Sequence, residues 1–216
     1  MTRNLKDRIN TSLILLFLIF LILNYKFIMV YSLIILGAIS LIEFFLISKR
    51  ITKNQFYLSI LNFSFSLYIF FFCLMFFFFN EIIELKFLIT ALLLTCIASD
   101  IGGFVFGNLF KGPKLTYISP KKTITGSIGS LILSSITLSF LFYYFLSKLD
   151  IGIILLGIIT SISCQLGDLF FSFLKRKAKL KDTGNIFPGH GGVLDRLDGI
   201  FLGIPLGLIT LIYLYK

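Results

Sequence analysis

The sequence has 216 residues, of which 57% are hydrophobic and only 14% are charged, and its formal net charge is +10. Together with a mean hydropathy of +1.00, this composition excludes an ordinary soluble domain and predicts a polytopic membrane protein. We expect no nucleic-acid partner, because the basic residues form no surface interleaved with aromatic side chains. The three cysteines stand singly in apolar runs without metal-ligand or CxxC spacing, so we interpret them as core residues.

Seven apolar runs predict seven membrane segments in an all-α helical bundle. They cover residues 11–23, 27–47, 56–79, 87–106, 126–146, 151–173 and 199–215. The first is shorter than the ~20 residues that a perpendicular helix needs. It also lacks a small-residue cleavage site, so we expect a retained segment and not a signal peptide. No repeat or composition shift divides the chain, which predicts one membrane domain over residues 1–216.

The basic residues predict the orientation of these segments. With the N-terminus in the cytoplasm, 16 of the 20 Lys and Arg residues fall on the cytoplasmic side. The four on the opposite side are Lys26, Lys86, Lys148 and Lys216. Such a bias follows the positive-inside rule. It places both long polar loops, 108–125 and 174–198, on the cytoplasmic side, where we expect them to form the site.

The polar stretch 172–198 begins with a run of basic residues. Lys175, Arg176, Lys177, Lys179 and Lys181 are predicted to extend the helix of the preceding span. On that helix, Asp168, Ser172, Lys175 and Lys179 would share one face that could meet a polyanion. The alternative is that lysines beside a span only mark the cytoplasmic side and touch anionic lipid.

A glycine-rich loop follows the basic run. Gly184, Pro188, Gly189, Gly191 and Gly192 surround His190, the single histidine of the chain. Glycine tolerates positive φ and lets backbone N–H groups approach a ligand, so this loop could cradle phosphate oxygens. The alternative for a lone loop histidine is a local hydrogen bond.

Two aspartates close the polar stretch. Asp195 and Asp198 are three residues apart and would share a face of a helix that begins near Val193. Hard carboxylate ligands in this arrangement suit Mg²⁺, which also binds water and substrate phosphates. The alternative is an Asp195–Arg196 surface ion pair with Asp198 as a helix cap.

Three carboxylates lie inside or at the edge of apolar runs: Glu43, Asp100 and Asp168. An ionised group near the bilayer centre costs at least ~2.5 kcal/mol, so such residues usually face a cavity, a partner or an ion. Asp100 and Asp168 are at the predicted cytoplasmic ends of their segments. We therefore expect them to pair with cations or metal of the two polar loops.

The order of these features resembles the signature of the CTP:phosphatidate cytidylyltransferases, also called CDP-diacylglycerol synthases. The matching pattern is S-x-L-K-R-x4-K-D-x-G-x2-F-P-x-H-G-G-V-x-D-R-L-D over residues 172–198. A second block over residues 100–126 is also similar, with Asp100, Gly102, Gly103, Gly107, Ser119, Pro120, Lys122, Thr123 and Gly126. Three positions depart from the family pattern: Phe171, where we expect glutamate, Thr125, where Glu or Gln is common, and Gly199, where Ser is common.

The resemblance implies transfer of CMP from CTP to phosphatidate, giving CDP-diacylglycerol and pyrophosphate for phospholipid synthesis. The implied catalytic residues are Asp168, Asp195, Asp198 and Lys181. The implied substrate-binding residues are Lys121, Lys122, Ser172, Lys175, Arg176, His190, Gly191, Gly192, Arg196 and Asp100. Mg²⁺ would be held by Asp168, Asp195 and Asp198, and a second, monovalent cation is left open. The resemblance further implies a homodimer in a bacterial inner membrane.

Two other functions stay open at this point. A CTP-dependent enzyme acting on a polyprenyl or ether lipid would keep the nucleotide site and change only the lipid groove. A cation-coupled transporter would explain intramembrane acids, although the polar residues are concentrated on one side of the membrane.

Overall fold

The computed structural model describes residues 17–184 and 191–215 of the chain. In this part of the chain, six helices are long and apolar enough to cross a membrane. They are α1 (Lys26–Ile51), α2 (Gln55–Glu81), α3 (Ile83–Phe110), α4 (Ile124–Leu146), α5 (Ile151–Lys177) and α6 (Leu194–Leu214). Residues 17–24 are also helical and correspond to the described end of the first predicted segment. The all-helical, polytopic membrane fold is thereby confirmed.

Most helices are longer than the apolar runs that predicted them. The sequence predicted a break between the third and fourth apolar runs, at residues 81–86; the structure has this break, but it consists of Ile82 alone, between α2 and α3. Glu84 lies in the first turn of α3, where a carboxylate interacts favourably with the helix dipole. At the other end of the chain, α6 begins at Leu194. This confirms a helix that starts near Val193 and carries both Asp195 and Asp198.

The described residues divide into two compact units. Unit 1 comprises the described residues within Met1–Leu85 and Leu174–Leu197, and unit 2 comprises those within Lys86–Phe173 and Asp198–Lys216. The single-domain organisation stays a prediction.

Unit 1 contains the packed pair α1 and α2. The rings of Phe44 and Phe65 stack with centroids 4.0 Å apart. At the opposite ends of these helices, the Lys26 ammonium lies 2.7 Å from the Glu81 carboxylate. Aromatic packing and one exposed ion pair thus join the two helices along their length.

Unit 2 is held together by close backbone contacts and buried hydroxyl groups. A Cβ added at Gly102 of α3 would lie only 2.6 Å from the carbonyl oxygen of Gly129 in α4. Ser99 and Ser161 share a hydrogen bond of 2.7 Å, and Ser130 donates to the Ser99 carbonyl at 2.6 Å. Small residues that admit close helix contact are typical of membrane interfaces. The glycines of residues 100–126 therefore have a packing role in this unit.

The cysteines are free thiols, and Cys96 and Cys164 are buried among helices of unit 2. This agrees with the interpretation of Cys96 and Cys164 as core residues, whereas Cys73 is half-buried. Phe171 is also buried in this unit, with its ring centroid 6.1 Å from that of Phe201. An aromatic core contact therefore occupies the position where the family pattern has glutamate.

Candidate active site

The basic run does not continue as a helix. α5 ends at Lys177, and Lys179 adopts the left-handed conformation with φ of +57°. The Leu180 N–H donates to the Lys175 carbonyl at 2.8 Å, and the Lys179 N–H donates to the Arg176 carbonyl at 3.0 Å. These bonds form a Schellman-type helix end in which lysine occupies the position usually held by glycine. The prediction that Lys179 and Lys181 extend the helix is therefore wrong, and Lys179 leaves the face of Asp168.

Asp195 is the centre of a buried network in unit 1. Its Oδ1 lies 2.5 Å from the Lys175 ammonium, and the two side chains are only 7% and 11% exposed. Its Oδ2 accepts hydrogen bonds from the Thr183 N–H at 2.8 Å, the Thr183 hydroxyl at 3.0 Å and the Gly192 N–H at 3.0 Å. Both carboxylate oxygens are therefore engaged. Asp195 thus connects three parts of the polar stretch, through Lys175 near its start, Thr183 in its middle and Gly192 near its end.

Glycines at both ends of the glycine-rich loop lie against the carboxylates of Asp195 and Glu43, which leave no room for a larger side chain. Gly191 has a φ of +83°, and a Cβ there would lie 2.6 Å from Asp195 Oδ2. A Cβ at Gly192 would collide with the Thr183 hydroxyl and both oxygens of Glu43, while one at Gly184 would lie 2.7 Å from Glu43 Oε1. The positive φ expected of this loop is thus found at Gly191. Residues 185–190, with Pro188, Gly189 and His190, lie outside the described residues.

Glu43 also belongs to this network, which the sequence did not predict. Its side chain is 3% exposed. It accepts hydrogen bonds from the Thr183 hydroxyl at 2.7 Å, the Val193 N–H at 3.0 Å and the Leu194 N–H at 2.8 Å. The sequence signal was a carboxylate within an apolar run, which predicted a partner without identifying it.

In unit 2, Asp168 has the cationic partner expected for an acid at a span end. Its Oδ2 lies 2.5 Å from the Lys122 ammonium, and its Oδ1 accepts from the Ser172 hydroxyl at 3.2 Å. The bond with Ser172 confirms that these two residues share a helix face. The Lys122 and Asp168 side chains are 26% and 28% exposed, so a ligand can reach this pair. Lys121 beside it is exposed.

Asp198 lies beside Asp168 on a neighbouring helix. The Gly167 and Asp198 backbones touch, because a Cβ at Gly167 would overlap the Asp198 carbonyl oxygen. Asp198 is 9% exposed, and its Oδ1 accepts from the Gly199 N–H at 2.9 Å. This contact of α5 with α6 brings two predicted metal ligands into one region of unit 2.

Asp100 and Gly199 both border Cys164. The Cys164 thiol donates to Asp100 Oδ1 at 3.9 Å, and a Cβ at Gly199 would lie 2.6 Å from the same sulfur. The second distance explains a departure from the family pattern, because a serine at position 199 would collide with Cys164. A third departure, Thr125, is a hydrogen-bonding residue, since its hydroxyl accepts from the Gly112 N–H at 3.3 Å.

The remaining cations of the polar stretch lie at the surface. Arg176, Lys181 and Arg196 are all exposed. Arg176 donates from Nη1 to the Leu180 carbonyl at 3.3 Å, which orients its guanidinium near the end of α5. Exposed Arg and Lys side chains are suitable for binding phosphate, and Arg can do so with two parallel hydrogen bonds.

The carboxylates differ in how well they suit a divalent cation. Among the described residues, no group of three or more His, Cys, Asp or Glu side chains is arranged to hold a metal. Mg²⁺ needs only one or two carboxylates when water and phosphate supply its other ligands. Asp168 and Asp198 lie on adjacent helices and could supply this donor set once Asp168 has released Lys122. Asp195 would first have to release Lys175 or its loop hydrogen bonds.

The fold and these clusters define an integral membrane protein with carboxylates and cations gathered at helix ends and in its polar loops. Residues 2–214 match the model of the Cytidylyltransferase family, and the chain belongs to this family.

Similar proteins include three bacterial enzymes, each named phosphatidate cytidylyltransferase. The protein of Helicobacter pylori J99 is 41% identical over 122 residues, which cover 56% of this chain and 46% of that protein. The protein of Staphylococcus haemolyticus is 47% identical over 116 residues, covering 53% and 45% of the two chains. That of Rickettsia prowazekii is 43% identical over 125 residues, covering 53% and 54%. The chain thus spans about half the length of the curated relatives it matches.

Proposed function

We propose that this chain is a phosphatidate cytidylyltransferase, which transfers CMP from CTP to phosphatidate and releases pyrophosphate. The observation that carries the proposal is its membership of the Cytidylyltransferase family, with relatives of that name at 41% to 47% identity. The geometry supports it, because acid and cation clusters suited to phosphate chemistry are built into a membrane-spanning fold. One substrate of this reaction is a lipid, and its headgroup would be met at the membrane surface.

The reaction requires two anions to approach each other. A phosphate oxygen of phosphatidate attacks the α-phosphorus of CTP, a new P–O bond forms, and the bond to the β-phosphate bridging oxygen breaks. The protein's main tasks are positioning and neutralisation of charge. Mg²⁺ bound by Asp168 and Asp198 would stabilise the negative charge on the phosphate oxygens as a Lewis acid.

The cations of the chain supply the other part of this neutralisation. We assign Lys122, together with Lys121, to the phosphates that are handled beside Asp168. The exposed Arg176, Lys181 and Arg196 of the polar stretch are assigned to CTP phosphates, and His190 keeps its predicted substrate-binding role. Lys175 has a different task, since its ammonium is buried against Asp195 and holds that carboxylate in place.

The activity is tested directly with purified protein in detergent micelles, supplied with labelled CTP, phosphatidate and Mg²⁺. We expect labelled CDP-diacylglycerol in the lipid phase and pyrophosphate in the aqueous phase. Polyprenyl phosphate and an ether-linked phosphatidate analogue are offered in parallel, to separate the proposed substrate from other membrane lipids. Absence of label transfer to phosphatidate would refute the proposal, and transfer only to the ether analogue or to polyprenyl phosphate would favour an enzyme of that other lipid.

We further propose that the N-terminus and the candidate site face the cytoplasm in a bacterial inner membrane, and that the chain forms a homodimer. Sixteen basic residues on one side against four on the other support the orientation. Crosslinking of the purified protein would test the dimer.

The orientation predicts the labelling of two exposed positions. Tyr117 lies in the 108–125 loop and is fully exposed, and Lys148 is exposed between α4 and α5. With a membrane-impermeant maleimide on intact cells, Lys148→Cys should be labelled and Tyr117→Cys should not. Inverted vesicles should give the opposite pattern. The parent chain, with its three native cysteines, provides the background, and labelling of Tyr117→Cys from outside would contradict the orientation.

A further inference from the structure

Glu43 is a buried carboxylate of α1 to which the proposed reaction assigns no role. It is 3% exposed within a helix that is otherwise strongly apolar. Both of its oxygens accept hydrogen bonds: Oε1 from the Val193 N–H, and Oε2 from the Leu194 N–H and the Thr183 hydroxyl. A carboxylate in an apolar span is costly unless it is satisfied in this way. Its hydrogen-bond partners among the described residues belong to the polar stretch, 140 to 151 residues further along the chain.

The amides that Glu43 accepts are those at the beginning of α6. The first N–H groups of a helix have no partner within the helix and need an external acceptor. A side chain next to the helix in sequence usually provides it. Here the acceptor comes from α1, since α6 begins at Leu194 and Glu43 binds the N–H groups of Val193 and Leu194. Glu43 therefore fixes where α6 begins.

The Thr183 hydroxyl connects Glu43 to Asp195. It lies 2.7 Å from Glu43 Oε2 and 3.0 Å from Asp195 Oδ2. Gly184 and Gly192 are packed against the Glu43 carboxylate so closely that neither position has room for a Cβ. One side chain thus holds both described ends of the glycine-rich loop, residues 183–184 and 192–194.

We propose that Glu43 is a positioning residue for the candidate active site: it holds residues 183–184 and 192–194 in place and so sets the geometry with which the described residues around them, Lys181, Gly191 and Arg196, bind the phosphates of CTP. The role in CTP binding rests on the proposed function, whereas the anchoring of the loop does not. A capping interaction that served only stability would leave the affinity for CTP unchanged in the folded protein.

The test compares Glu43→Gln with Ser40→Ala. Glutamine keeps the size of the side chain but replaces one acceptor oxygen by an NH₂ group. Because donors face both Glu43 oxygens, at least one of them loses its acceptor in either amide orientation. Ser40 is a matched control on the same helix, since it is also buried and, within the part of the chain that the structure describes, its hydroxyl bonds to the Leu36 carbonyl of its own helix.

Two measurements are made on each purified variant. In hydrogen exchange, we expect the amides of residues 191–197 to exchange roughly tenfold faster in Glu43→Gln, as loss of a helix cap predicts, with α2 unchanged. In kinetics, the KM for CTP should rise about tenfold while the KM for phosphatidate stays constant. Ser40→Ala should resemble the parent in both.

Unchanged exchange of residues 191–197 in folded Glu43→Gln would overturn the proposal, and so would faster exchange with an unaltered KM for CTP. If Glu43→Gln does not fold, Thr183→Val decides the question, because it removes the hydroxyl that joins the two carboxylates and should produce the same local exchange and KM change. A parent chain that does not turn over CTP would refute the proposed function. The exchange measurement would still decide whether Glu43 anchors the loop.

Discussion

Asp198→Asn is expected to lower turnover of CTP by about a thousandfold or more, which corresponds to roughly 4 kcal/mol of transition-state stabilisation. The substitution keeps the shape of the side chain and removes the negative charge of the carboxylate, which we propose binds Mg²⁺. Asparagine also retains an oxygen that accepts from the Gly199 N–H, so the local structure should persist. Turnover across a Mg²⁺ titration and the thermal unfolding midpoint are measured on the same preparation.

The matched control is Asp150→Asn. Asp150 is an exposed aspartate of the same unit, and it accepts from the Tyr215 hydroxyl at 2.6 Å and the Ile153 N–H at 2.8 Å. The Tyr215 hydrogen bond holds the pKa of Asp150 below its usual value. Asp150→Asn should leave turnover and its Mg²⁺ dependence unchanged. If Asp198→Asn behaves in the same way as this control, the metal role of Asp198 is refuted and a helix-capping role is favoured.

Asp195→Asn is expected to destabilise the protein by about 3 kcal/mol or more, because it leaves the Lys175 ammonium buried without its carboxylate. Lys175 is 8% exposed as a residue, and the ion pair has a separation of 2.5 Å. Asparagine can still accept from the loop N–H groups through its oxygen, but its NH₂ group would then face Lys175. The loss of stability is measured by denaturant unfolding in micelles.

The double variant Lys175→Met with Asp195→Asn separates the ion pair from the loop hydrogen bonds. Removal of the buried ammonium should restore a large part of the lost stability, which gives a strongly non-additive double-mutant cycle. Additive effects would contradict a buried ion pair. The same double variant tests the predicted metal role of Asp195, since normal turnover in a stable double variant would exclude it.

The membrane fold could be predicted because its cause is local. In lipid, a backbone must satisfy its own hydrogen bonds, so each sufficiently long apolar run forms a helix. For the same reason the shared face of Asp168 and Ser172 followed from the helical repeat. The helix ends were predicted less well, because hydropathy marks where apolar residues stop. α1 continues to Ile51, beyond its predicted end at residue 47, and α3 already includes Glu84.

The end of the basic run shows what a helical pattern misses. Lysine favours helix, so nothing in the spacing of Lys175, Lys177 and Lys179 indicates a stop. The helix ends where Lys179 takes a left-handed conformation and two backbone hydrogen bonds close the Schellman turn. Such a choice depends on the contacts that the following residues make, among them those of Thr183 with Asp195.

By itself, the sequence determined that the chain is a helical membrane protein and where its polar chemistry is concentrated, since both depend on composition and short-range order. Only the tertiary structure decided that Asp195 is paired with Lys175, that Asp198 lies beside Asp168 across a helix contact, and that Glu43 binds the start of α6. These contacts join residues that are far apart in the chain. A buried carboxylate reveals in the sequence that it needs partners, but several donors of equal chemistry are available, and packing selects among them.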